Sequence, residues 1–343
     1  MDFRFTDDQT TLAESVRDYL AGTHGPEVLR RLDVGPNRDP AIWQGLVDMG
    51  LTALLVPKEH GGLGLALVEA ALIAAECGRA CLAEPLVDTA FVAVPWLVMQ
   101  GQTGDLSTIA AGEKTVPLDH VINPWVADGD GQQLQSVDPL RNLTARVERN
   151  RDTLARGVLT DDRKSAVHPE PAEGLDMSGG GDEFLLDLGA LMSAAQLVGL
   201  ADAMLARATD YAKLRQQFGQ PIGAFQAVKH QLANCAVAIE FAKPVVWRAA
   251  QALDDKLASA SVHVSHAKLV ATDAAILTAE TAIQVHGAMG YTYEVDLHFW
   301  MKRAWALAGA WGDRSFHYRR IDEAVLGRQN ATTLPIGPEH TFA

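Results

Sequence analysis

The chain has 343 residues, 48% of them hydrophobic, which is more than one domain usually holds; it can bury a large core and is expected to divide into two or three domains. Its 29 Lys and Arg against 43 Asp and Glu leave a net charge of −14, and no basic patch interrupts that excess, which argues against nucleic acid and anionic membranes as partners.

Thr6-Asp7-Asp8-Gln9 has the form of a capped helix start, with Thr6 as cap and Gln9 reaching back, and Leu12, Val16 and Leu20 follow at helical spacing. The polar start after Met1 lacks the look of a signal peptide. With only Cys77, Cys81 and Cys235 as thiols, the chain reads as a resident of a reducing cytoplasm. Asp39-Pro40 is expected to cap a second helix through Trp43, Leu46 and Val47, and Gly61–Gly64 to turn the chain into an Ala- and Leu-rich buried helix from Leu65 to Cys81. Cys77 and Cys81 are one helical turn apart, but without a second ligand pair they read as small core residues. No run reaches the ~18 uninterrupted apolar residues of a membrane span, although Ala90 to Met99 is locally apolar, so a soluble protein is expected.

Between about Gly101 and Asp187 the composition shifts to Gly, Asp, Thr and Pro, with short β-prone runs at Lys114–Leu118, Gln133–Val137 and Leu143–Val147. From Leu188 helices return: Leu191–Leu214, Phe225 to about Leu253 with Pro244 as a kink or break, Ser259–Val285, and Asp296–Leu326 with an interruption. The cluster Ala267, Val270, Ala271, Ala274 and Ala275 favours tight helix packing, and the four segments make a bundle.

The stretch Leu214–Gln226 carries the most chemistry. A helix with Leu191, Ala195, Val198, Leu205, Ala208 and Ala212 on one face meets Arg215, Phe218, Gly219 and Pro221, which end it. Arg215 offers a planar fork suited to a pyrophosphate, and the glycines let backbone approach a bulky ligand. Taken alone, these residues fit equally an ordinary helix end with a cation near the negative pole of its dipole.

Arg215, Phe218, Gly219, Ile222 and Gln226 form an R-x-x-F-G-x-x-I-x-x-x-Q run that resembles the acyl-CoA dehydrogenase family. Gln284-Val285-His286-Gly287-Ala288-Met289-Gly290-Tyr291 is similar to that family's Q-x-x-G-G-x-G-Y loop. Near the N-terminus Trp43, Met49-Gly50-Leu51, Val56-Pro57 and Gly61-Gly62-Leu63-Gly64 match its W-x-x-L-x-x-x-G-L and P-x-x-x-G-G-x-G patterns. The resemblance implies a mainly α fold in three parts: an N-terminal helical domain (1–100), a reduced β middle domain (101–187) and a C-terminal helical bundle (188–343) that oligomerises. It implies FAD as cofactor, with Arg215, Phe218, Gln226, Gln284, His286, Gly287 and Ala288 on its diphosphate and adenosine, and α,β-dehydrogenation of an acyl-CoA as the reaction.

Two departures qualify the resemblance. The family's T-E-P-x-x-G-S-D-like run, which holds the flavin ring and lines the acyl site, is not found in the middle segment. The catalytic base is missing as well. Most relatives supply it as a Glu just before a Gly, in the stretch matching Leu307–Asp313, and a minority place it on the helix before the R-x-x-F-G run, near Leu188-Gly189-Ala190. Neither stretch holds a Glu, so no residue of this chain is assigned as catalytic. Asp313 is the nearest carboxylate and the candidate for a displaced base in a self-sufficient homotetramer, but a surface pair or helix cap is the simpler reading of it; a non-catalytic helical scaffold of the same fold is the third alternative. Glu294 reads as a cap or a partner of Lys302 or Arg303, while His286, His298 and His230 read as packing or hydrogen-bonding residues, with no metal expected. Short length, a thin middle domain and no base together resemble one subunit of the α2β2 acyl-CoA dehydrogenases of actinobacterial steroid side-chain degradation. The resemblance then implies a homologous partner subunit that holds the substrate and supplies the Glu.

Overall fold

The computed structural model describes residues 4–34, 38–116 and 180–326. Helix α1 (Asp7–Thr23) opens on the expected box: Thr6 Oγ1 accepts from the Gln9 N–H at 3.2 Å, and Gln9 Oε1 accepts from the Thr6 N–H at 3.0 Å. The helix announced by Asp39-Pro40 is the third, not the second. A nine-residue helix α2 (Pro26–Val34) precedes it, with Pro26 at its start and Leu29 and Leu32 buried; it is strongly amphipathic but short. In α3 (Pro40–Asp48) the Asp39 carboxylate accepts from the Ala41 N–H at 3.0 Å, and Trp43 and Leu46 enter the core.

The turn at Gly61–Gly64 is dictated by space. A Cβ on Gly62 would lie 1.9 Å from the Val56 carbonyl oxygen, and Gly61 and Gly64 both have positive φ. Helix α4 (Leu67–Ala80) follows, and its first two amides are completed from far along the chain: Leu67 and Val68 donate to the two oxygens of Asp254, at 3.0 and 3.2 Å. A π-helical turn (Val87–Ala93) runs into α5 (Val94–Met99), and α6 (Leu106–Ala110) folds back so that Thr52 donates to the Ala110 carbonyl and the Trp43 indole to that of Gly112. The chain from 101 to 112 thus packs on the N-terminal helices. Of the β-prone runs in the middle segment only Lys114–Val116 is described, as irregular chain; the rest lie outside the described residues.

Helix α7 (Gly180–Leu214) starts well before the expected Leu191, because the run Phe184–Ala190 continues its apolar face. From Glu183 to Leu214 it is long and apolar enough to cross a membrane by those criteria alone, yet 94% of its most apolar window is buried by the other helices. It is the central rod of the fold. Its crossing with α4 is very close: a Cβ on Gly78 would lie 2.1 Å from the Gln196 carbonyl oxygen, and one on Gly199 1.8 Å from that of Ala75. An ion-pair network ties the same region together, with Arg17 and Arg79 on buried Glu76, and Arg79 and Lys243 on Asp202.

A two-residue hairpin, β1 (Gln216–Gln217) with β2 (Gln220–Pro221), leads to α8 (Gln226–Asp254). The helix passes through Pro244 without the break that the sequence allowed; Pro244 and Glu240 are both exposed, where solvent can satisfy the carbonyl that loses its donor. Helix α9 (Ala260–His286) packs along α7 and α8, and the fourth member of the bundle is the expected interrupted one, α10 (Leu297–Gly309) and α11 (Arg314–Leu326). Cys77 and Cys81 are buried free thiols, both pushed up by burial, Cys77 to about 12, as suits small core residues.

Candidate functional site

The end of α7 and the hairpin after it carry the first motif. The Ile222 N–H donates to the Arg215 carbonyl at 2.8 Å, closing the hairpin, so the Arg215 side chain, Phe218 and Gly219 lie on its solvent side. Among the described residues no carboxylate pairs with Arg215. Phe218 is 92% exposed with φ +52°, its ring edge-on to Phe225 at 6.1 Å. A non-glycine residue in this left-handed conformation with its ring in water is costly on both counts, the signature of a surface completed by something else. A Cβ on Gly219 or on Gly287 would meet nothing within 4 Å, which leaves open space above both backbones.

The second motif joins the first through one contact. The His286 ring stacks on Tyr211 at 4.3 Å, four positions before Arg215, and its Nδ1 donates to the Ala282 carbonyl at 2.7 Å. His286 is therefore turned inward, 6% exposed, whereas Gln284, Gly287 and Ala288 are exposed on the same end of α9, and Gln226 is exposed at the start of α8. An exposed guanidinium, exposed amides and open glycines at the ends of three packed helices suit an anionic, extended ligand such as a dinucleotide diphosphate.

The second region of interest is the turn between α10 and α11, where the base was sought. Trp311 precedes Gly312 and is 2% exposed, and its indole lies against Gly189 of α7: a Cβ on Gly189 would come within 2.1 to 2.5 Å of three ring carbons. The two stretches in which a carboxylate was sought are thus in contact, and the space between them holds an indole. Trp311 has φ +56°, and Gly312 has φ +96° with no room for a Cβ beside Phe316 and His317.

Two buried groups that sequence reading passed over hold this turn. Lys268 Nζ donates to the Leu307 and Ala308 carbonyls at 2.6 and 3.1 Å, at the C-terminal end of α10. His317 lies 2.9 Å through Nε2 from the Trp311 carbonyl and 3.1 Å through Nδ1 from Ser265 Oγ. A carbonyl can only accept, so Nε2 carries the proton and Nδ1 accepts from the Ser265 hydroxyl. Burial first, then the nearby Lys268, lowers His317 to about 3, which keeps it neutral. A lysine in the Ala267–Ala271 apolar stripe and a histidine one turn past Asp313 were the available signals.

The alternative carboxylates are accounted for. Asp313 accepts from the Phe316 N–H at 2.8 Å and so caps α11, while Arg314 pairs with Asp273. Glu183 and Asp187 both bind Arg320, and Asp187 also accepts from Ser261 at 2.6 Å. Glu294 is exposed, while Arg303 donates to Gln196 at 3.4 Å and Lys302 Nζ lies 5.0 Å from the centroid of the Tyr293 ring. Asp296, two residues on, takes a bidentate pair with Arg30. A cavity of about 670 Å³ between the start of α7, α5 and the end of α8 has Asp187 and Asp254 in its wall, and none of the motif residues lines it.

Comparison with known proteins places these features in context. The family model described as acyl-CoA dehydrogenase, N-terminal domain, matches residues 6–102, and that described as acyl-CoA dehydrogenase, C-terminal domain, matches residues 183–326. The chain is 31% identical to acyl-CoA dehydrogenase IpdE2 of Mycolicibacterium smegmatis over 331 residues, covering 94% of this chain and 100% of that protein. It is 29% identical to acyl-CoA dehydrogenase IpdE2 of Mycobacterium tuberculosis, over 87% of this chain and 91% of the other. Among solved structures, a chain of the ChsE4-ChsE5 complex from Mycobacterium tuberculosis superposes with a TM-score of 0.75 at 19% identity, over 96% of this chain and 100% of that one. Butyryl-CoA dehydrogenase from Megasphaera elsdenii gives 0.73 at 21% identity, over 95% and 100%. At these identities the structures speak for the fold.

Proposed function

Since the chain belongs to the acyl-CoA dehydrogenase family, we propose that it is a subunit of an FAD-dependent enzyme that dehydrogenates an acyl-CoA thioester between its α and β carbons, and that a homologous partner subunit supplies the catalytic Glu. The observation that carries this reading is the contact between Trp311 and Gly189. Proton removal at the α carbon needs a carboxylate within hydrogen-bond reach, and both places for it on this chain lack one.

FAD, when bound, accepts the hydride that leaves the β carbon. This chain's part is to hold the other end of the cofactor. Arg215 supplies charge-assisted donors to the diphosphate, Phe218 and the open backbone at Gly219 and Gly287 cover it, and Gln226, Gln284 and Ala288 contact the adenosine side. His286, packed beneath on Tyr211, fixes the loop that carries Gly287. The exposure of Arg215 and Phe218 supports a site that is completed by another chain.

A homologous partner is also favoured by what the similar structures are: a two-component ChsE4-ChsE5 complex and the Tcur3481-Tcur3483 steroid ACAD. The same likeness makes a steroid-type acyl-CoA the substrate class of choice. The division 1–100, 101–187 and 188–343 stays a proposal, and two observations bear on its boundaries: Gly112 accepts from the Trp43 indole of the first part, and α7 begins at Gly180. The cytoplasm is the proposed compartment, in keeping with the free thiols Cys77, Cys81 and Cys235.

The test is co-expression with a homologous chain that carries the catalytic Glu. The chain alone should purify with little flavin and no activity, and the pair should be yellow and reduce its flavin on adding acyl-CoA. Full dehydrogenase activity from this chain alone would overturn the reading.

A further inference from the structure

We propose that the cavity of about 670 Å³ between the start of α7, α5 and the end of α8 binds a small amphiphile with an apolar body and a cationic, hydrogen-bond-donating head, a primary alkylamine in its simplest form. Its volume is within the ~300 to 1,000 Å³ of small-molecule sites. Leu65 and Leu67 at the entry to α4, Val98 and Met99 on α5, Phe184 on α7 and Leu257 after α8 make its apolar lining. Leu65 and Met99 keep 41% and 44% of their surface exposed, so the lining opens to solvent as an apolar patch continuous with the cavity, the form a binding surface takes. The inference stands apart from the dehydrogenase reading, since none of the motif residues around Arg215 and Gly287 lines this wall.

The polar part of the wall selects the head group. It holds three carboxylates, Glu183, Asp187 and Asp254, against one ammonium, Lys256. Arg320, outside the lining, pairs with Glu183 and Asp187 and neutralises that side. Asp254 has no ion pair among the described residues. Its two oxygens accept one N–H each, from Leu67 and Val68, which leaves each oxygen a second lone pair. Burial is the main cause that raises Asp254 to about 6, with Glu69 and Asp255 adding like charge, so the group is ionised at pH 7.5. An ammonium brought in on an alkyl chain therefore meets an acceptor with free lone pairs and an unanswered negative charge. An anionic head meets repulsion from that carboxylate, and only the exposed Lys256 to attract it. A neutral alcohol can donate to Asp254 but gains nothing from its charge.

The experiment titrates the full-length chain at pH 7.5 with octylamine, octanol and octanoate, three probes that share one tail, by isothermal titration calorimetry. Octylamine should bind about tenfold more tightly than octanol, the scale of one charge-assisted hydrogen bond, and octanoate should not bind. Met99→Trp, at an exposed position on the rim, should abolish octylamine binding by filling the cavity. Asp254→Asn should bring octylamine down to the affinity of octanol while octanol is retained. Octanoate binding as tightly as octylamine overturns the assignment of the head group, and does so in the unaltered chain without any variant having to fold. Unchanged octylamine binding by Met99→Trp places the amine elsewhere and overturns the site, as does a folded Asp254→Asn that keeps the preference for the amine. Binding of none of the three, the result expected if another part of the same chain fills the cavity, overturns the proposal outright. No readout here depends on flavin or on dehydrogenation.

Discussion

Replacing Lys268 by Met tests whether the buried lysine in α9 governs the turn that carries Trp311. Lys268 is 1% exposed, and burial lowers its ammonium from the ordinary 10.5 to about 7, with Asp313 opposing. Below pH 7 the group is protonated in both the folded and the unfolded chain, so the folded state bears the full cost of a buried charge. Between 7 and 10.5 the unfolded chain binds a proton that the folded chain does not, and stability therefore rises with pH. At ~1.4 kcal/mol per unit, the two units from pH 7 to 9 are worth about 3 kcal/mol. His317, lowered to about 3, does not titrate in this window. Lys268→Met removes the titration and leaves the Leu307 and Ala308 carbonyls without their donor, at ~1 to 3 kcal/mol each. At pH 6 that loss is largely offset by relief of the buried charge, so the variant should be close to the parent there and about 3 kcal/mol less stable at pH 9. Urea unfolding of both proteins at pH 6, 7, 8 and 9 measures the difference, in which other titrating groups cancel. Parallel stability curves across that range would refute the reasoning.

Three further outcomes are expected. Arg215→Ala should leave the assembly intact but weaken FAD by about 2 to 3 kcal/mol, the scale of lost charge-assisted hydrogen bonds; an unchanged flavin titration removes Arg215 from the site. Asp313→Asn should keep the rate of flavin reduction, since Asn also caps a helix, and a fall of more than about 100-fold in stopped-flow reduction, nearly 3 kcal/mol, would make Asp313 the base after all. Gly199→Ala, whose Cβ would lie 1.8 Å from the Ala75 carbonyl oxygen, should cost at least about 1 to 3 kcal/mol by forcing α4 and α7 apart, seen as a lower melting temperature.

Local signals in the sequence translated well into structure. The Thr6 and Gln9 box, the Asp39-Pro40 cap and the Gly61–Gly64 turn each depend on residues a few positions apart, and each is where the spacing puts it; the interruption expected within Asp296–Leu326 falls before Arg314. Helix α2 was missed although its apolar period is clear, because that period runs for only nine residues, short of the window over which periodicity is read. Pro244 brings no break, since α8 runs on through it, and its exposed position lets solvent satisfy the carbonyl that loses its donor. In the candidate site, the exposed hairpin of Arg215 and Phe218 was legible because backbone breaks and charge are local properties. The contact of Trp311 with Gly189 was not, since it joins residues far apart whose relation depends on how α7 and the α10–α11 turn pack. Lys268 escaped for the same reason: its partners are carbonyls, which carry no sequence signal at all.

The capping of α4 by Asp254 bears on the order in which the molecule is made. The amides of Leu67 and Val68 are completed by a carboxylate 187 positions further on, and the groove beside Gly78 is filled by α7, also later in the chain. A ribosome delivers the N-terminal helices first, and throughout that interval α4 has an open end and an uncovered apolar face. The first third of the polypeptide is therefore a client awaiting its own C-terminal half, and the interval until α8 is finished is when chaperones have most to hold.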